Sequence, residues 1–290
     1  MAQAPLDEWV TVDGLNFHYR DWGGSGQPLL LLHGLASTCH IWDMVAPILA
    51  QNHRVVALDQ RGHGETDKPS YGFDFASVTQ DALGLINHLG GDAPIVVGHS
   101  WGGSVALELA VRAPESVKGM AWIDGGMINA SARYRTVEDA KFEMSPPDFS
   151  GVTAESFMDR VRTRHQGAGM APGSHDVVMA NFEVQRDNTI KARLTRANHL
   201  RIIEALWDHH PADLYRQVQC PVLIMPARQQ KDPTTQDRGQ RRLMSVDEAE
   251  QQLPNSKTVW LENSIHDVPI QRPELVAGLI KSHVDDGFFG

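Results

Sequence analysis

The chain has 290 residues, 41% of them hydrophobic and 21% charged, enough for one large core with an insertion or for two domains. A formal net charge of −10 argues against nucleic acid or an anionic membrane as the main partner. Two cysteines, Cys39 and Cys220, make no disulfide framework and read as buried free thiols. The N-terminal residues have neither the basic start nor the apolar core of a signal peptide, and the apolar run from Pro28 to Leu32 is far too short to span a bilayer. The expectation is a soluble, cytoplasmic protein.

Trp9 to Val12 and Leu15 to Trp22 alternate apolar and polar residues around Asp13-Gly14, which predicts an edge hairpin. Gly23 to Gly26 is a turn. Leu29 to Leu32 is continuously apolar, the pattern of a strand covered on both faces. Ile41 to Ala50 reads as a helix and Arg54 to Leu58 as a second buried strand ending at Asp59. Ala76 to Leu89 is an amphipathic helix with Val78, Leu83, Ile86 and Leu89 on its apolar side. Ile95 to Val97 is a strand, Gly103 to Arg112 lies in the helix after it, and Val117 to Ile123 is a strand ending at Asp124-Gly125-Gly126.

The alternation then stops. Residues 127–213 read mostly as helix and loop. It resumes with a strand at Pro221 to Met225, a helix at Val246 to Leu253, a strand at Thr258 to Leu261 and a helix at Glu274 to Val284. This order implies an α/β fold with a doubly wound, mostly parallel sheet. Residues 1–126 and 214–290 would form its core, and 127–213 an inserted helical cap. Such an insertion would lie over the crevice at the carboxyl edge, where these sheets bind ligands.

The most informative run is Ile95-Val96-Val97-Gly98-His99-Ser100-Trp101-Gly102-Gly103. An apolar strand stops at a serine and turns at once into a helix, with glycines two residues to either side. This is the G-x-S-x-G spacing of a nucleophile elbow. Side chains at the flanking positions would collide in so sharp a turn, so both must be tiny. The turn also aims the Trp101 N–H and the positive end of the helix at a reacting oxygen.

A serine nucleophile needs a base. Of 14 histidines, His266 stands in the loop after the last predicted strand, on the same sheet edge as the elbow, so it is the candidate. A second oxyanion donor would come from the turn after Leu29 to Leu32, where Gly34 lets the chain fold back and the Leu35 N–H is available. His33 reads as a residue holding that loop. Arg61 and His63, in Asp59-Gln60-Arg61-Gly62-His63-Gly64, tie loops together.

These pieces, from His33-Gly34 through the Asp59 run and the elbow to His266, resemble the α/β-hydrolase-fold enzymes that carry a helical cap. The resemblance spans nearly the whole chain outside the cap. Ser100 separates the chain from the family's haloalkane dehalogenases and epoxide hydrolases, which carry aspartate at the elbow. The acid departs from the usual pattern. After the strand that follows the cap, the family has glycine, two residues, then aspartate. This chain reads Met225-Pro226-Ala227-Arg228-Gln229-Gln230-Lys231-Asp232. Asp124, at the tip of the strand next to the nucleophile strand, is the favoured acid and Asp232 the alternate. Asp267 is too close to His266 in sequence to orient it easily.

The resemblance therefore implies a serine esterase acting through an acyl-enzyme on Ser100, with Leu35 and Trp101 as oxyanion donors. Leu35 and Trp101 side chains, with His33, Gly34 and Trp207, would line a largely apolar pocket. Phe142, Phe157 and Phe182 are candidates to close it, though each also fits as helix core. No metal or other cofactor is expected: the cap histidines (His165, His175, His199, His209, His210) lack metal-ligand spacing. The partner would be a small-molecule ester, with oligomeric state open. A carbon–carbon bond hydrolase, a hydroxynitrile lyase or a hydrolase-fold receptor with little turnover are the rival readings.

Overall fold

The computed structural model describes residues 4–229 and 236–290. Its strands are β1 (Leu6–Val12), β2 (Leu15–Gly23), β3 (Pro28–Leu32), β4 (Arg54–Leu58), β5 (Ile95–His99), β6 (Gly119–Ile123), β7 (Phe182–Val184), β8 (Ile190–Ala192), β9 (Val222–Met225), β10 (Ala227–Arg228), β11 (Ser256–Thr258) and β12 (Leu261–Glu262). Its α-helices are α1 (Ala46–Leu49), α2 (Phe75–His88), α3 (Trp101–Arg112), α4 (Ala130–Arg133), α5 (Val137–Glu143), α6 (Ala154–Ala168), α7 (Ser174–Met179), α8 (Arg196–Asp208), α9 (Ala212–Tyr215), α10 (Gln236–Gln252), α11 (Val268–Gln271) and α12 (Pro273–Asp285). No described helix is long and apolar enough to cross a membrane.

Eight of these strands form one sheet in the order β1-β2-β4-β3-β5-β6-β9-β11. β1 and β2 are antiparallel, and every pairing from β4 to β11 is parallel. The period of two along each strand divides the apolar residues between two cores. Leu30, Leu32, Val56, Val96, Met120 and Ile224 face α2 and α3. Leu29, Leu31, Val55, Val97, Ala121 and Leu223 face the layer of α1 and α12. Buried on both sides, these strands read as unbroken apolar runs, which is why they were visible in the sequence.

Helix starts follow local chemistry. Asp74 caps α2 by accepting from the Ser77 N–H at 2.9 Å. Thr136 and Asp139 form a reciprocal capping box on α5. Several predicted elements differ, and the helix expected over Val246 to Leu253 is α10, which begins ten residues earlier at Gln236. The helix expected over Ile41 to Ala50 is instead a 3-10 turn (Cys39–Trp42) followed by the four-residue α1. Pro47, with no N–H to donate, stands at the start of α1 rather than inside a longer helix. The strand expected over Thr258 to Leu261 is split into β11 and β12, because after Thr258 the chain leaves β9 to pair with β10. The segment between β6 and β9 adds no strand to the main sheet, but it does contain the small antiparallel hairpin β7–β8.

That segment is tied to the loop after β4 and to α3 and α11. Asn198 Nδ2 donates to the Pro69 carbonyl at 3.0 Å, and Arg193 pairs with Glu65 at 2.6 Å. Gln271 Nε2 donates to Ala168 O at 2.9 Å, and buried His209 meets Glu108 of α3 at 3.0 Å.

Candidate active site

β5 leads into Ser100, whose φ of 54° and ψ of −120° put a non-glycine residue in a sparsely populated backbone region. The strain is held from several sides. The Ser100 N–H donates to Ile123 O at 3.0 Å, fastening the turn to β6. A Cβ on Gly98 would lie 2.3 Å from Gly102 O, and one on Gly102 would lie 2.3 Å from Leu32 O. Both positions of the motif are therefore glycine for want of space. A third glycine is equally crowded: a Cβ on Gly125 would lie 2.2 Å from Ser100 O. The β6 tip thus packs directly on the serine backbone.

That tip carries Asp124, also with positive φ (45°) and its side chain only 2% exposed. Its Oδ1 accepts the Ala227 N–H at 3.0 Å, and its Oδ2 lies 2.7 Å from His266 Nδ1. The structure thus brings Asp124 and His266 together across 142 positions of chain. Asp232 lies outside the described residues. Asp267 stands at the start of α11 and does not orient His266.

The His266 loop is fastened at three points. Ser264 N donates to Arg228 O at 3.3 Å, Ile265 N to Gln271 Oε1 at 2.8 Å, and His99 Nε2 to the His266 carbonyl at 2.9 Å. The His266 side chain is half exposed. Burial of its inner part opposes the charged form, but the hydrogen bond and charge of Asp124 outweigh this, and its pKa lies above the ordinary histidine value. Burial likewise pushes the Asp124 pKa up, but His266 and Arg242 together hold it below the usual carboxylate range. His99 moves the other way. Burial and the neighbouring His266 take it down to about 4, so it is neutral. Neither His99 nor Arg242 carried a signal in the sequence that could be separated from ordinary surface or core residues.

The loop after β3 sets Gly34 against the serine: a Cβ there would lie 3.0 Å from Ser100 Cβ. The backbone N–H groups of Leu35 and Trp101 make no hydrogen bond among the described residues. His33 is fully buried, so it lines no pocket. It donates from Nδ1 to Gly34 O at 2.8 Å and accepts the Gln60 N–H at Nε2 at 3.0 Å, which makes it a brace for the loop. His63 accepts the Ala36 N–H at 3.2 Å and stacks on Trp101 at 5.4 Å, while Arg61 grips Asp81 through two bonds of 2.6 and 2.8 Å. Trp101, 1% exposed, is packed against His63 and is core rather than pocket wall, a correction to the expectation for its side chain. Leu35 and Trp207 are half-buried. Phe142, 82% exposed, neither closes a pocket nor fills a helix core. Phe157 and Phe182 instead join Phe149 in a cluster of rings 4.7 to 5.7 Å apart.

A cleft of about 460 Å³ opens beside the His266 loop, bordered by Arg164, Ala168, Asn263, Ile265 and Gln271. A second cavity of about 310 Å³ sits at the opposite, amino edge of the sheet around Gly26, Arg54 and Asp92, away from every candidate residue.

The model of the alpha/beta hydrolase family matches residues 29–279, from β3 into α12. The chain belongs to the alpha/beta hydrolase family. Among curated members, this α/β-hydrolase is similar to a soluble epoxide hydrolase of Corynebacterium sp. (strain C12), 40% identical over 125 residues, covering 42% of this chain and 43% of that protein. It is also similar to a fluoroacetate dehalogenase of Burkholderia sp, 38% identical over 107 residues, covering 35% of each. These alignments span less than half the length of the curated relatives. Among solved structures, E-2-(acetamidomethylene)succinate hydrolase superposes with a TM-score of 0.78 over 97% of this chain and 99% of that one, at 21% identity. An esterase from Exiguobacterium antarcticum superposes with a TM-score of 0.72 over 97% and 100%, at 18% identity. At such identities the likeness is one of fold.

Proposed function

We propose that this chain is a serine hydrolase that cleaves a carboxylic ester of a small, largely apolar substrate through an acyl-enzyme on Ser100. The observation that carries this reading is the 2.7 Å contact between Asp124 Oδ2 and His266 Nδ1, on the strand tip that packs against the strained serine. With Nδ1 donating to Asp124, His266 Nε2 is left bare to accept the Ser100 hydroxyl proton as Oγ attacks the acyl carbonyl. The Leu35 and Trp101 N–H groups would stabilise the tetrahedral oxyanion, and the N-terminus of α3 adds its positive end. His266 then returns the proton to the leaving alcohol. Water, activated by the same imidazole, attacks the acyl-enzyme and frees the acid. The relatives named as epoxide hydrolase and dehalogenase raise two further chemistries. Serine rather than aspartate at the elbow favours acyl transfer over those two chemistries.

The test is a p-nitrophenyl ester series from acetyl to dodecanoyl, with wild type and Ser100→Ala side by side. Turnover lost in Ser100→Ala supports the reading, and the preferred chain length sizes the acyl pocket. No turnover of any ester by folded wild type overturns it and favours carbon–carbon hydrolysis, a lyase or a receptor.

A further inference from the structure

We propose that Arg242 is a positioning residue of this site: it anchors Asp124 against the turn after β9 and, by sharing Oδ2, weakens that carboxylate's hold on the His266 imidazolium. The proposal rests on reading Ser100, His266 and Asp124 as the reacting set. Asp124 reaches His266 from the tip of β6, on a left-handed backbone, with its side chain withdrawn from solvent. A buried carboxylate there needs donors to hold one orientation. Arg242, on α10, supplies one and closes a ring. Its Nη2 donates to Asp124 Oδ2 at 3.0 Å, its Nη1 donates to Ala227 O at 2.7 Å, and the Ala227 N–H donates to Asp124 Oδ1 at 3.0 Å. One planar guanidinium thus joins the strand tip to the backbone of β10. An ammonium at the end of a lysine has no such fork.

The electrostatics follow from the shared oxygen. Asp124 Oδ2 takes both His266 and Arg242, so part of its negative charge is already answered when the imidazole gains a proton. The groups that face His266 are Asp124 and Asp267, which favour the imidazolium, and Arg242 and His99, which stand close to it. His99 is neutral, so Arg242 is the cation that opposes Asp124 and Asp267. Its cost to the charged imidazole keeps the base from being trapped in its protonated form.

The experiment is an NMR titration of labelled histidines in wild type, Arg242→Gln and Arg242→Lys, with His266→Gln to assign the resonance, alongside the pH profile of kcat/KM on the best ester. Arg242→Gln is expected to raise the His266 pKa by about half a unit to one unit, and to move the acid limb of the profile up equally. Arg242→Lys is expected to leave that pKa within about 0.3 unit of wild type while lowering kcat, since it keeps the charge and loses the bridge. A His266 pKa that is unmoved or lowered in Arg242→Gln overturns the proposal. If the glutamine variant melts below the assay temperature, the lysine variant decides alone: an upward shift of half a unit or more there overturns it as well. The titration needs no turnover, so a failed triad, seen as activity retained in Ser100→Ala, is distinct from a failed role for Arg242.

Discussion

At the scale of single residues, the site depends on which oxygen of Asp124 meets which donor. With Oδ2 on His266 and Oδ1 on the Ala227 N–H, the carboxylate fixes the imidazole tautomer that leaves Nε2 free. Asp124→Asn keeps the shape but offers an amide that can hold the wrong tautomer. It is expected to lower kcat by about 10³- to 10⁴-fold, measured on the best ester, with Asp232→Asn nearly silent. A crippling Asp232→Asn with an active Asp124→Asn would reverse the assignment of the acid. The pH dependence has a definite sign. In the proposed mechanism His266 can act as a base only when neutral, and Asp124 raises its pKa above the usual value of about 6.5. Activity should therefore fall as pH drops through a value above that figure, and an acid limb centred below it would contradict the coupling.

At the scale of elements, the elbow shows how closely a turn can be determined by space. Gly125→Ala would set a methyl 2.2 Å from the Ser100 carbonyl, a backbone atom that cannot move without distorting the serine. The expected result is a loss of about 1 to 3 kcal/mol in denaturant unfolding, together with a fall in kcat. Gly278, within α12, is the opposite case: a Cβ there meets nothing within 4 Å. Gly278→Ala should stabilise by about 0.5 to 1 kcal/mol, because alanine loses less entropy in a helix, and should leave activity alone. Equal effects of the two substitutions would show that the crowding at Gly125 is relaxed in solution.

At the scale of the whole molecule, a buried charge cluster joins β2 to the loops after β3 and β4. Asp59 Oδ2 lies 2.7 Å from His18 Nδ1, Asp59 Oδ1 accepts the Cys39 N–H at 2.7 Å, and His18 Nε2 reaches Asp7 at 3.2 Å. Burial opposes charge on both the His18 imidazole and the Asp59 carboxylate, but the pairing wins. The His18 pKa lies above its ordinary value and that of Asp59 far below. The raised histidine adds stability that is full below its unfolded pKa of about 6.5 and fades as pH rises through the folded value. The depressed aspartate adds stability that is present above about 3.9 and is lost as pH falls through its folded value. Both contribute between those two unfolded values. His18→Gln should therefore lower the Tm more at about pH 5.5 than at about pH 8.5, with a loss of up to about 3 kcal/mol at the lower pH. Equal losses at both would mean that His18 is neutral in the fold.

Much of this architecture was legible because its causes are local. An apolar run of four or five residues marks a strand covered on both faces, and a serine between two glycines marks a turn too tight for side chains. Pro47 is a local cause of the same kind: with no N–H to donate, it sits at the start of the short α1 and not within one longer helix. What the sequence alone determined, then, is the order of strands and helices, the elbow at Ser100 and the histidine loop that follows the last strands. Only the tertiary structure decided that Asp124 meets His266, that Arg242 shares its oxygen, that Gly125 presses on the serine, and that Phe142 faces solvent. The reason is range. Asp124 and His266 are 142 residues apart, and Asp124 and Arg242 are 118 apart. Such pairs meet through the order of strands in the sheet, which no neighbour in the chain encodes.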